Sequence, residues 1–159
     1  SIKMPFWLEI IINIAFSYIA SVGFALTINV PHRALNLSGI SGVVGWMVYW
    51  FSNRAGMGRM LSNLAGAFII GILGLFFARV KKCPVTVFNI PALVPLVPGV
   101  PAYQAVRSLV DGQTFEAETA ILRVAIVTCA IALGILLSTM ITEMFYRTKR
   151  FYKQRQNKL

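Results

Sequence analysis

The sequence predicts an all-α integral membrane protein of five transmembrane segments, the fourth of them a discontinuous helix broken by prolines. Three observations carry that expectation. The 159-residue chain is 57% apolar and only 13% charged, with a mean hydropathy of +0.72, far from the balance of a soluble domain. Its apolar residues fall into runs long enough to cross a ~30 Å hydrocarbon core, separated by basic residues, prolines or short glycine-containing loops. The run at residues 85–109 is as apolar as the others yet holds Pro91, Pro95, Pro98 and Pro101, with Gly99 beside the third.

The first run, residues 6–30, opens on Trp7, suited to an interfacial anchor, and ends at Pro31 and Arg33. It is too long for the apolar core of a signal peptide and lacks a small-residue cleavage site, so it is expected to stay in the protein. Its Asn13 and Asn29 are expected to bond neighbouring helices, and its Glu9 to reach water. The second run, 34–51, carries Gly39, Gly42 and Gly45. The third, 61–77, carries Ser62, Gly66, Ala67, Gly71 and Gly74. Small residues three or four apart form faces that let backbones approach, predicting helix or subunit contacts.

In the fourth run each proline lacks an N–H and clashes with the carbonyl four residues back, so one helix cannot pass through. Residues before proline favour extended backbone, which predicts unwinding over residues 95–101, near mid-membrane. Arg107 and Asp111 are spaced to pair on its second half. The fifth run, 117–146, has Arg123 and Glu143 near its ends, both able to snorkel. The division expected is a five-span domain at 1–146 and a basic tail at 147–159 lying against anionic lipid.

Five spans place ten basic residues on one side, among them Arg33, Arg79, Lys81, Lys82 and six in the tail, and five on the other: Lys3, Arg54, Arg59, Arg107 and Arg123. The positive-inside rule then sets the N-terminus outside and the C-terminus in the cytoplasm. A four-span arrangement would return the N-terminus to the cytoplasm. The same placement accounts for the net charge of +10 without nucleic acid, since no basic stripe is interleaved with exposed aromatics. Cys83 and Cys129 form no metal or disulfide motif, and Cys83 is expected in a cytoplasmic loop. No nucleophile–base set, metal-ligand set, cofactor motif or phosphate loop is present, which argues against an enzyme. His32, the only histidine, reads as a solvated loop residue rather than a proton carrier.

The prolines leave the carbonyls of Val87, Pro91, Val94 and Val97 without their usual partners. Asn89, Gln104, water or a substrate ammonium would have to supply donors. Beyond the break Pro101 suits the start of a new helix, whose free N–H groups from Gly99 to Tyr103 would seat a carboxylate. Pro95, Pro98, Gly99 and Pro101 shape this expected site, with Asn89, Tyr103 and Gln104 as its polar side chains. It suits an amino acid, or a dicarboxylate if a basic side chain replaces the carbonyls. A merely kinked helix without ligand is the plainer reading.

Two stretches, Asn29-Val30-Pro31-His32-Arg33-Ala34-Leu35 and Pro95-Leu96-Val97-Pro98-Gly99-Val100-Pro101-Ala102-Tyr103, resemble the best-marked motifs of the threonine/serine exporter family, in its short membrane-only subunit. The resemblance covers nearly the whole chain, and the second stretch is the more specific. Its motif positions here are Asn29, Pro31, Arg33, Pro95, Pro98, Gly99, Ala102 and Tyr103. It implies a five-helix unit forming half of an exporter in the cytoplasmic (inner) membrane. Its partner would be a longer homologous subunit with a soluble hydrolase-like domain, in a hetero-oligomer. Exported substrates would be threonine and serine, or succinate in some two-subunit systems, with export drawing on the proton gradient. Relative to the fused form of the family, this chain lacks the soluble domain and the second half, and is not expected to transport alone. The alternative function is a non-transporting scaffold or assembly subunit that uses the glycine-rich faces; no acidic residue lies at mid-depth to carry a proton, which favours that alternative or places coupling in the partner.

Overall fold

A computed structural model describes residues 4–158, all of whose regular elements are helical. They are α1 (Phe6–Thr27), α2 (His32–Arg54), α3 (Gly58–Lys81), α4 (Thr86–Leu93), a 3-10 turn (Val94–Leu96), α5 (Gly99–Val110) and α6 (Thr114–Gln156). Lys3, counted above in the charge balance, lies outside the described residues. Four helices are individually long and apolar enough to span, and the pair Thr86–Leu96 and Gly99–Val110, bent by 58°, is together long and apolar enough to be a fifth.

Helices α2, α3 and α6 overrun their apolar runs and α1 stops three residues short of its own, so hydropathy alone does not set where they end. At the end of α1 the Val30 N–H reaches Ala25 O at 3.0 Å and the Asn29 N–H reaches Leu26 O at 3.2 Å. This is a Schellman closure, which needs a left-handed residue at its centre; Asn29 takes that place with φ 58°. Val30 then turns inward to pack with Ala25, Ala34, Cys83 and Phe88, and Pro31 blocks continuation. The same pair of bonds closes α5, with Gly112 at φ 75°, Gln113 N–H to Ser108 O and Gly112 N–H to Leu109 O. At its far end α6 runs without interruption through Tyr146 to Gln156, so the basic tail is a continuation of the last span.

Three sets of contacts fix which ends share a face. Glu9 in α1 pairs with Arg54 at the end of α2 at 2.9 Å, and that guanidinium also lies over the Phe6 and Trp50 rings. At the opposite face Arg33 Nε donates to Cys83 Sγ at 3.2 Å, tying the α1–α2 corner to the α3–α4 corner. Cys83 thus lies in the α3–α4 loop, as the sequence predicts, and is buried there. Along α3 and α6, Gly134 faces Leu64 and Ala67, Gly71 faces Ser138, and Arg79 sits over the Tyr146 ring at 3.3 Å. Both helices thus run in the same direction. The chain between them has to return from the second face to the first, and α4–α5 makes that crossing.

Glycines bring the helices close. A Cβ on Gly39 would strike Tyr18 and Val22 of α1, one on Gly42 would strike Ser21, and one on Gly45 would strike Ile70. Gly66 backs onto Gly45 and Gly74 onto Asn89. These faces are spent on contacts within the chain.

Candidate functional site

The broken span is more economical than four prolines suggest. Pro91 sits inside α4 without ending it. The carbonyl it orphans, that of Val87, accepts from the Ser38 hydroxyl of α2 at 3.1 Å; this single hydroxyl hydrogen can alternatively go to Ala34 O at 2.9 Å. Pro91 O takes the Val94 N–H, and Val94 O takes the Val97 N–H at 3.2 Å. Val97 O takes the Gly99 N–H at 2.8 Å across Pro98, whose φ −77° and ψ 62° make an inverse γ-turn. All four freed carbonyls have donors from the chain, so the expected cation seat is already filled.

Of the residues before proline, Val97 alone is extended; Val94 stays helical and the true gap is Val97–Pro98. Helix α5 starts at Gly99, two residues before Pro101. Because Gly99 N–H and Ala102 N–H are bonded and Pro101 has none, Val100 keeps the one free N–H among the first four residues of α5. Leu96 at the break packs on Gly66, eight residues into α3 and so about 12 Å from its start.

The 58° bend swings α5 away from α2 and α3, so that among the described residues it packs on α6 alone. The wedge left open is a cavity of about 430 Å³. Pro95, Pro98, Gly99, Pro101 and Gln104 line it from the broken span. Across from them stand Trp46 and Tyr49 of α2, Arg59 and Asn63 of α3, and Arg123 of α6. Trp46 is held by donating its indole N–H to Asn13 Oδ1 at 2.9 Å, the interhelical bond expected of Asn13. Asn63, 3% exposed, gives its amide N–H to Arg59 O at 2.8 Å. No acidic residue lines the cavity, and among the described residues neither Arg59 nor Arg123 forms an ion pair. Gln104 and Arg123 also line a groove of about 580 Å³ between α5 and α6, where Arg107, Asp111 and Glu116 lie; the groove leads to the first face.

Two expected polar site residues fall outside the cavity. Asn89 points the other way, against Gly74, with a buried Oδ1 that has no hydrogen-bond partner. Tyr103 is 64% exposed on the outer side of α5. Ala102 faces an apolar crevice against α6. Asn29, Pro31 and Arg33 build the opposite corner and are far along the chain's path from the break. The arginines were missed because each stands at the end of an apolar run, where a snorkelling role accounts for it. The available signal was periodic: Arg59 and Asn63, and Arg123 and Val127, are each one helical turn apart.

Among the described residues no three His, Cys, Asp or Glu side chains are grouped to hold a metal. A bundle of apolar spans, one of them broken beside a polar, positively charged cavity, is the architecture of a membrane transporter. The sequence model for the threonine/serine exporter family, ThrE, matches residues 13–141, about four-fifths of the chain, and the chain belongs to that family. No solved structure matches it.

Proposed function

We propose that this chain is one membrane unit of a secondary exporter of small carboxylate-bearing metabolites, with the carboxylate seated between Arg59 and Arg123 beside the helix break. One observation carries the reading: the wedge opened by the broken span holds two unpaired guanidiniums and no acid. Its volume of about 430 Å³ falls within the ~300–1,000 Å³ of small-ligand sites. Guanidinium forks match carboxylate geometry. The Val100 N–H and the positive end of α5 add to the attraction. Threonine or serine presents one carboxylate to this pair, and a dicarboxylate such as succinate presents two.

The unit works with a longer homologous subunit in the cytoplasmic membrane, N-terminus outside and C-terminus inside. In that orientation the cavity opens toward the outer face, the side on which an exporter releases its load. The scaffold alternative loses its main surface, since the glycine-rich faces are occupied by helices of the same chain.

The test is efflux of labelled threonine, serine and succinate from loaded cells expressing both subunits. Arg59→Gln and Arg123→Gln should each raise KM about tenfold or more, the worth of one charge-assisted hydrogen bond, with Lys158→Ala as an unaffected control. Wild-type KM in both arginine variants would remove the site from this cavity.

A further inference from the structure

A second polar cavity, of about 400 Å³, lies at the opposite face in the groove between the parallel helices α3 and α6. Arg79 of α3 and Arg147 and Arg150 of α6 converge on it, with Glu143 as its single acid and Leu75 on its floor. Among the described residues none of the three arginines forms an ion pair, with Glu143 or any other carboxylate. Three guanidiniums brought to one cavity repel one another unless an anion with several oxygens sits between them. Arg79 is already ordered, stacked 3.3 Å over the ring of Tyr146.

The depth of this cavity points to the source of the anion. The arginines stand where the apolar stretches of α3 and α6 end, and Phe76, Ile141 and Phe145 are exposed on the neighbouring faces of the same two helices, as a lipid-contacting level would require. The groove is thus cationic where the apolar stretches end, with Leu75, Thr139 and Thr142 about one turn deeper between the same two helices. A free phosphate would use the rim alone. We propose that this groove binds the phosphate of one anionic phospholipid, with the headgroup among Arg79, Arg147 and Arg150 and an acyl chain running down past Leu75. This is a built site on two helices, distinct from the general attraction of a basic tail to the membrane.

The test uses the purified full chain in detergent, incubated with phosphatidylglycerol or phosphatidylcholine and weighed intact by native mass spectrometry. Wild type is expected to retain one phosphatidylglycerol and to release phosphatidylcholine, a comparison that needs no variant. Arg79→Gln combined with Arg147→Gln should reduce phosphatidylglycerol retention by roughly tenfold or more. Lys149→Gln combined with Lys153→Gln, which removes as much charge from the tail outside the groove, should leave it unchanged. Equal retention of the two lipids, or equal loss in the two double variants, overturns the site. Displacement of the lipid by inorganic phosphate, with phosphate binding lost in the arginine variant, overturns the lipid assignment in favour of a soluble anion.

Discussion

Ser38 does for Val87 what residue 91 cannot, because proline has no N–H to give. Ser38→Ala should therefore leave a carbonyl in apolar surroundings unpaired and lower stability by about 1–3 kcal/mol, read as the unfolding midpoint in detergent. In a Pro91→Ala background the backbone N–H returns and the same Ser38→Ala change should cost distinctly less; equal costs in both backgrounds would mean the hydroxyl is not the substitute donor. The freed carbonyls were legible in the sequence, since a proline names the acceptor it orphans four residues earlier. Their donors were not. Ser38 lies 49 residues away on another helix, and nothing local distinguishes it from the other serines of α2. Asn89 illustrates the converse: its amide suggested a donor for the break, yet the helical register of α4 turns it toward Gly74.

Helix ends and crossings decide the next level. Asn29 holds the left-handed position that closes α1, so Asn29→Gly should be nearly neutral, whereas Asn29→Val should cost about 1–2 kcal/mol, because a side chain branched at Cβ is crowded in that conformation and lacks the short polar group that lets asparagine adopt it. Thermal unfolding of the two variants side by side checks this. Gly42→Leu should cost more, about 3 kcal/mol or above, because the new side chain overlaps Ser21 with no space to yield. Gly99 behaves differently. A Cβ there meets nothing within 4 Å and its φ is not left-handed, so Gly99→Ala should leave stability unchanged or slightly raised. Any loss of export in that variant then reports on the cavity rather than on folding. The five runs and the broken fourth were readable because apolar length and proline are local properties. The extent of the break was not, since 3-10 and γ-turn bonds absorb three of the four orphaned carbonyls and shrink seven expected residues of unwinding to two.

At the scale of the molecule, the parallel course of α3 and α6 makes the number of crossings odd and puts the two termini on opposite faces. In a background with Cys83 and Cys129 replaced by alanine, Gly112→Cys should react with an impermeant thiol reagent in intact cells, and Lys82→Cys should be protected until the cells are opened. The reverse pattern would invert the orientation proposed here. Long-range direction of this kind is invisible in a hydropathy profile, which counts spans but does not say which of them lie side by side. One feature of α6 joins the two faces: its 43 residues make a rod of about 64 Å, twice the hydrocarbon thickness, with the α5 hairpin at one end and Arg147 and Arg150 toward the other. Pivoted on its glycine contact with α3, such a lever tilting by about 5° would carry each tip roughly 3 Å in opposite senses, so a ligand gripping the Arg147 end would also alter the width of the wedge in which Arg123 stands.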